Sequence, residues 1–326
     1  MRAEQDIRRL LAAADPVRDH PVPPVPVFDP PAPVHRRRRV LVAAALVAVV
    51  AAGAAVWTVA RPNAPRGAAA TPPLLSITAA TDTRPAPVLL EEIAARAQRS
   101  GVPTGRPGGT EHFQMQAWYL HSQVQRGDTR SVLQATYTEL WWNADGSGRI
   151  DTRDSPPQFQ SEADQRAWAS ETDGDGDSSS FEPHERSRMW PDRPPTDPAA
   201  LASWLEINHP RANGPTEVIT SITDLVRQRV LTADERAAVL RVLATVPGLR
   251  HDGTTHDRTG RPGMVFSLDS NGHGLPTRYS LVIDPGTGLI LAREEVLTTD
   301  PGALGVTIPA VITSEVYVRQ DFQGTP

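Results

Sequence analysis

The stretch HFQMQAWY, residues 112–119, decides the fold class. Phe113, Met115, Ala117 and Tyr119 hold one parity, and His112, Gln114, Gln116 and Trp118 hold the other. Successive side chains of a strand point to opposite faces, so a period of two describes a half-buried β-strand. Next comes SVLQATYTELWW, residues 131–142, rich in β-branched and aromatic side chains, and then an Asp145-Gly146 turn that returns the chain through Arg149 and Ile150. These pieces predict an antiparallel meander, with Ser147 as a turn residue rather than a nucleophile.

Working outward, the C-terminal third repeats the pattern. Met264, Phe266 and Leu268 alternate, as do Tyr279, Leu281 and Ile283; Asp284 to Gly288 is a turn, Leu289 to Leu297 is its partner strand, and Val311 to Val318 is a last strand. Helices lie between and before the strands. Leu89, Leu90, Ile93, Ala94 and Ala97 recur at helical spacing in Val88 to Arg99. Asp197 with Pro198 marks a helix start that turns Leu201, Trp204 and Leu205 inward, and a second helix spans about Glu217 to Val230. Thr232 and Glu235 form a capping-box pattern ahead of Val239, Val242, Leu243 and Val246, and Pro247-Gly248 ends that helix. Strands, then helices, then strands predict an α+β domain over residues 88–326, a curved antiparallel sheet packed against helices. Residues 151–195 turn polar and lose periodicity, which predicts an exposed mobile loop.

Ahead of this domain, Arg36 to Arg39 run into the uncharged segment 40–60, closed by Arg61-Pro62. At about 1.5 Å per residue such a run matches the roughly 30 Å hydrocarbon core of a bilayer, so one transmembrane helix is expected. Basic residues flank its N-terminal side, which places residues 1–39 in the cytoplasm and the C-terminal domain outside, as a single-pass cell-membrane protein. A cleaved signal peptide competes, since Ala68 to Ala70 offer small residues, but the long leader and full-length apolar run favour an anchor. Within the leader, Glu4 to Ala14 reads as a short amphipathic helix whose Ile7, Leu10 and Leu11 are a candidate protein-docking stripe, followed by a Pro-rich spacer over residues 21–33. Residues 61–87, rich in Pro, Ala and Thr, read as a linker.

Composition narrows the function classes. A net charge of −5 argues against a nucleic-acid surface. Cysteine is absent, so disulfides, thiolate metal sites and thiol nucleophiles are excluded, and every one of the 33 basic residues is arginine. Asp173, Asp175 and Asp177 open like a calcium loop, yet Ser178 and His184 stand where glycine and glutamate are required. His251, Asp252, His256 and Asp257 lack metal-helix spacing and read as a surface turn around Gly253-Thr254; His184-Glu185 lacks a second histidine. No catalytic, cofactor or metal residue set is expected, and the chain reads as a non-enzyme. Trp118, Tyr137, Trp141 and Trp142 remain, as core or as the lining of an apolar groove for a lipid or other apolar ligand.

Several segments together resemble a family of actinobacterial single-pass membrane proteins encoded beside extracytoplasmic-function sigma factors. They are the helix at Glu4 to Ala14, the His35 to Arg39 run, the Trp-x-x-Asp-Gly-Ser-Gly-Arg segment at Trp142 to Arg149, the helix start at Thr196 to Leu201, the Val246 to Gly248 helix end, and the Ile283 to Gly288 turn. The resemblance implies an outer sensing or binding domain in a sigma-factor regulatory circuit. It also implies similarity to the half-barrels of lipoprotein carriers and periplasmic sigma regulators. The leader, without cysteine, lacks the His-x-x-x-Cys-x-x-Cys motif of zinc anti-sigma factors.

Overall fold

The computed structural model describes residues 68–100, 108–125, 128–168, 177–272 and 274–324, all within one compact unit, Val49–Pro326. The leader with Ile7, Leu10 and Leu11, the apolar run 40–60, and Asp173 and Asp175 lie outside the described residues. Among the described residues, no helix is long and apolar enough to cross a membrane.

The element order is β1 (Thr78–Ala79), α1 (Ala86–Arg99), β2 (Thr110–Gln125), β3 (Asp128–Trp142), β4 (Gly148–Asp154), β5 (Gln158–Phe159), α2 (Glu162–Trp168) and β6 (Ser178–Phe181). Then follow α3 (Pro198–Glu206), α4 (Thr216–Gln228), α5 (Ala233–Ala244), β7 (Arg250–His256), β8 (Pro262–Ser270), β9 (Thr277–Ile283), β10 (Ile290–Leu297) and β11 (Ala310–Gln323). The strands form one eleven-stranded sheet in the order β1-β7-β8-β9-β10-β11-β2-β3-β4-β6, with β5 pairing β3. All pairings are antiparallel. The fold is therefore α+β with a large antiparallel sheet. The C-terminal meander closes against the first one through the β11–β2 ladder, which aligns Glu315 with Ala117 and Val316 with Gln116.

The expected caps are present. Asp197 accepts a hydrogen bond from the Ala200 N–H at 2.8 Å, with Pro198 in the first turn. Thr232 and Glu235 close a reciprocal capping box, the Glu235 carboxylate accepting from Thr232 N–H at 2.7 Å. In the β3–β4 turn, Asp145 accepts from the N–H and hydroxyl of Ser147, which is the turn role expected of that serine.

One face of the sheet is covered by helices. Leu90 and Ile93 of α1, Leu201 of α3, Ile222 and Leu225 of α4, and Leu240 and Leu243 of α5 are buried against Phe266, Leu281 and Ile283 of β8 and β9. Burying such side chains stabilises by about 1.5–3 kcal/mol each, so this cluster is the main source of stability. The opposite face is covered in part by irregular chain. Ala69 packs with Leu297, Val306 and Ala310, and Leu75 packs against Val282, Leu291, Ala292 and Val316.

Buried ion networks tie the helices to the sheet. Glu315, fully buried in β11, accepts hydrogen bonds from Arg227 of α4 and from the hydroxyls of Tyr119 and Tyr317. Glu111 of β2 meets Arg188 at 2.7 Å, Arg229 at 3.4 Å and Arg193 at 3.5 Å, and accepts from Val230 N–H at 2.6 Å.

Three expectations change. Residues 151–195 carry β5, α2 and β6 within their described part. Their C-terminal portion is pinned, because Arg188 and Arg193 ion-pair with Glu111 and Arg229 donates to the carbonyls of Trp190 and Asp192 at 3.1 Å. Polar composition looks like loop in one dimension, yet buried opposite charges can hold irregular chain as firmly as apolar contact. The end of the 61–87 linker likewise belongs to the folded body, since Thr78–Ala79 pairs with β7. Finally, His251 to His256 is strand β7 rather than a surface turn. Gly253 serves a β-bulge there at φ 138°, and a Cβ would stand 2.0 Å from the Thr78 carbonyl oxygen.

Candidate functional site

The four aromatic residues of the expected groove do not share a face. Side chains alternate across β2 and β3, and the register sets Glu111 opposite Trp142 but His112 opposite Trp141. Trp142 therefore points toward the helices. It is buried with Phe113, Leu140, Phe181 and Phe322, edge-to-face with the Phe181 ring at 5.2 Å and beneath the Arg188 guanidinium at 4.4 Å. Trp118, Tyr137 and Trp141 lie on the other face, half-buried.

A positive group caps or stacks on each of those three rings. The Arg258 guanidinium lies 5.7 Å from the Trp118 ring centre, Arg153 lies 5.2 Å from Tyr137, and Arg149 lies 5.7 Å from Trp141. Trp141 also stacks on His112, with ring centres 5.0 Å apart and planes within 7°. Cations over π-faces gain roughly 0.5–2 kcal/mol. These rings are therefore shared with guanidinium groups and are not an open apolar floor.

Polar side chains fill the rungs between them. Cross-strand neighbours on this face run Arg319, Gln114, Glu139 and Asp151 in one row, and Asp321, His112, Trp141 and Arg149 in the next. His112 Nε2 lies 2.8 Å from Glu139, and its Nδ1 lies 2.8 Å from the Gln323 amide and 3.4 Å from Asp321. Arg149 grips Asp151 through two bonds at 2.9 Å, which holds the Asp151 carboxyl below its ordinary range, with Ser178 adding a second donor. Burial raises the pKa of the Tyr137 hydroxyl, and the Glu139 charge raises it further. The result is a zwitterionic, aromatic-studded sheet face suited to hydrogen bonding.

A second feature sits at the other edge of the sheet. A shallow cavity of about 570 Å³, broadly open to solvent, is lined by Ile77, Ala79, Asp82, Arg84, His251, Asp252 and Arg278, among others. Four separate segments meet there: β1, the turn before α1, β7 and β9. The β7 bulge lies between His251 and Gly253, so it displaces Asp252 from the ladder. Bulges re-aim side chains, and this one turns two adjacent residues toward the cavity. Asp252 is anchored by the hydroxyl of Ser267, which is fully buried and thus a strut rather than an accessible nucleophile. Arg84 holds the Asp82 carboxyl down at about 2, chiefly by side-chain hydrogen bonding. Asp269 raises Arg278 in the same way, with Asp252 contributing charge from further off. His251 Nδ1 is buried and has no hydrogen-bond partner among the described residues.

The sequence draws attention to His251-Asp252 but hides the rest of this cavity. Asp82, Arg84 and Arg278 carry no local motif, and only the β1–β7–β8–β9 pairing brings them together. His256 and Asp257, next in sequence, do not join. His256 is exposed, and Asp257 is buried by its own turn, accepting from the backbone of Thr259 and Arg261 at 2.9 Å. Among the described residues no group of three His, Asp or Glu side chains could hold a metal ion. Comparison of the chain with protein-family models, curated proteins and solved structures finds no match.

Proposed function

We propose that this chain is a non-enzymatic, single-pass membrane protein whose α+β domain stands outside the cell and binds a polar partner at its surface, as the sensing half of a sigma-factor regulatory circuit. The observation that carries the reading is the packed space between helices and sheet. A half-barrel that carries a lipid needs an apolar cleft of several hundred Å³ there. In this chain the corresponding layer is occupied by Leu90, Ile93, Leu201, Leu240, Phe266 and Ile283, each buried to within 1% of full enclosure. The Glu315–Arg227 network further along the layer adds charge where an acyl chain would lie. A sheet of this strand number curls as it twists, which supports the curved form. Curvature here serves packing and leaves the outer face of β2, β3 and β4 for recognition. The sigma-factor context rests on the sequence resemblance, and the membrane placement rests on Arg36 to Arg39 and the apolar run after them.

Native mass spectrometry of the full chain released from detergent tests this reading. The expected species is the bare polypeptide mass. A stoichiometric lipid retained through delipidating washes would overturn it in favour of a carrier. Residues 1–39 immobilised as bait should retain a sigma factor, and failure to do so would remove the circuit while leaving surface binding.

A further inference from the structure

We propose that the cavity between β1, β7 and β9 binds a small zwitterion, such as a free α-amino acid or a dipeptide. Its charges are balanced, and one pair, Arg84 with Asp82, is already closed at 2.6 Å, which leaves Arg278 and Asp252 as the groups open to a ligand. Arg84 and Arg278 supply two positive groups, and Asp82 and Asp252 supply two negative ones. A simple anion or a simple cation would meet like charge on one side, whereas a ligand carrying both charges meets complement on each.

The hydrogen-bond inventory sharpens the orientation. Arg278 spends Nε and Nη2 on Asp269, at 2.8 and 3.5 Å, and its Nη1 has no hydrogen bond among the described residues. Asp252 spends Oδ2 on Ser267, while its Oδ1 lies 3.7 Å from the nearest guanidinium, Arg250, beyond hydrogen-bond reach. Arg278 and Asp252 both line the cavity, one with a donor and one with an acceptor beyond hydrogen-bond reach of the described residues. They suit a ligand carboxylate at Arg278 and a ligand ammonium at Asp252. His251 also lines the cavity, its ring tilted against Phe266 with ring centres 5.4 Å apart.

The cavity has the framework of a built site. The bulge at Gly253 has no room for a Cβ, and β1 is held across it by Ala80 N–H to the Asp252 carbonyl at 3.2 Å and by the Thr255 hydroxyl to the Ser76 carbonyl at 2.8 Å. Ile77, Ala79 and Ala80 give an apolar wall of limited depth, which suits a small side chain such as that of alanine. Ligand binding here bridges β7 to β9, so it would stiffen that edge of the sheet. This site lies at the opposite edge of the sheet from the aromatic rungs of β2 to β4, and it goes beyond the surface-binding reading without depending on it.

The test is calorimetric titration of the full chain in detergent with glycine, L-alanine, D-alanine and dialanine, and with acetate and methylammonium as half-ligands. Saturable zwitterion binding, at least tenfold tighter than either half-ligand, is expected. Arg278→Gln and Asp252→Asn should each weaken it at least tenfold, and Arg149→Gln, near the opposite edge of the sheet, should leave it unchanged. Arg278 is 41% exposed, so its variant should fold, as a thermal melt will show. No saturable zwitterion binding at millimolar concentration overturns the proposal, as does equal binding of acetate alone. Unchanged affinity in both folded variants overturns it too.

Discussion

Replacing Glu315 by Gln tests whether the buried charge network stabilises the layer between α4 and the sheet. The carboxylate is fully enclosed, receives Arg227 Nε at 2.9 Å and the Tyr119 and Tyr317 hydroxyls at 2.9 and 2.8 Å, and has Arg293 within 3.8 Å. Burial alone would raise its pKa. The two guanidinium groups overcome that, first Arg227 and then Arg293, and hold it down at about 2 against an ordinary 4.5. A tenfold change in proton affinity corresponds to about 1.4 kcal/mol, so the ionised state contributes on the order of 3 kcal/mol to folding. A depressed carboxylate contributes above its unfolded pKa, so this stability is intact at neutral pH. It is lost as pH falls from about 4.5 toward about 2. Gln keeps the shape and removes the charge, leaving two buried cations undercompensated, and breaking a buried pair costs about 3–5 kcal/mol. Denaturant unfolding followed by tryptophan fluorescence, at several pH values between 3 and 8, should show a loss of roughly 3 kcal/mol at pH 7. The same variant should show a shallower acid dependence. Wild-type stability at pH 7 in the variant, or an unchanged acid slope, would refute the reasoning.

Two further outcomes follow from the same physics. His209 lies 3.2 Å from Asp224 and 3.1 Å from Glu217, and Asp224 foremost raises its pKa above 6.5. A raised histidine contributes fully below its unfolded value, and that contribution is lost as pH rises through the folded one, so His209→Asn should flatten the stability profile above about pH 6.5 in unfolding curves. Trp142→Ala should cost about 3–5 kcal/mol, because it empties a packed cluster, whereas Tyr137→Ala on the opposite face should cost under about 1.5 kcal/mol. Similar losses at both positions would show that the outer face is core after all.

Much of the fold was legible because local rules and tertiary context agree. The alternation at residues 112–119, the Asp197 and Thr232 caps and the Asp145-Gly146 turn are each set by residues within a few positions of one another, and each has its expected form. The misread segments share a different cause. Residues 182–195 and β7 are polar, and their order comes from partners far away in sequence: Glu111 for Arg188 and Arg193, and Thr78 for Gly253. A one-dimensional pattern carries no record of such partners.

The sequence by itself determined the class of the fold, the strand parity and the helix ends, because hydrophobic period and capping chemistry act over less than two turns of chain. It also singled out the arginine-flanked apolar run, on which the membrane proposal rests. Only the tertiary structure decided that Trp142 parts company with Trp118, Tyr137 and Trp141, since adjacent residues of a strand face opposite ways once the register is fixed. It alone assembled Asp82, Arg84, His251, Asp252 and Arg278 around one cavity, because a ladder running β1-β7-β8-β9 brings together groups separated by almost two hundred residues.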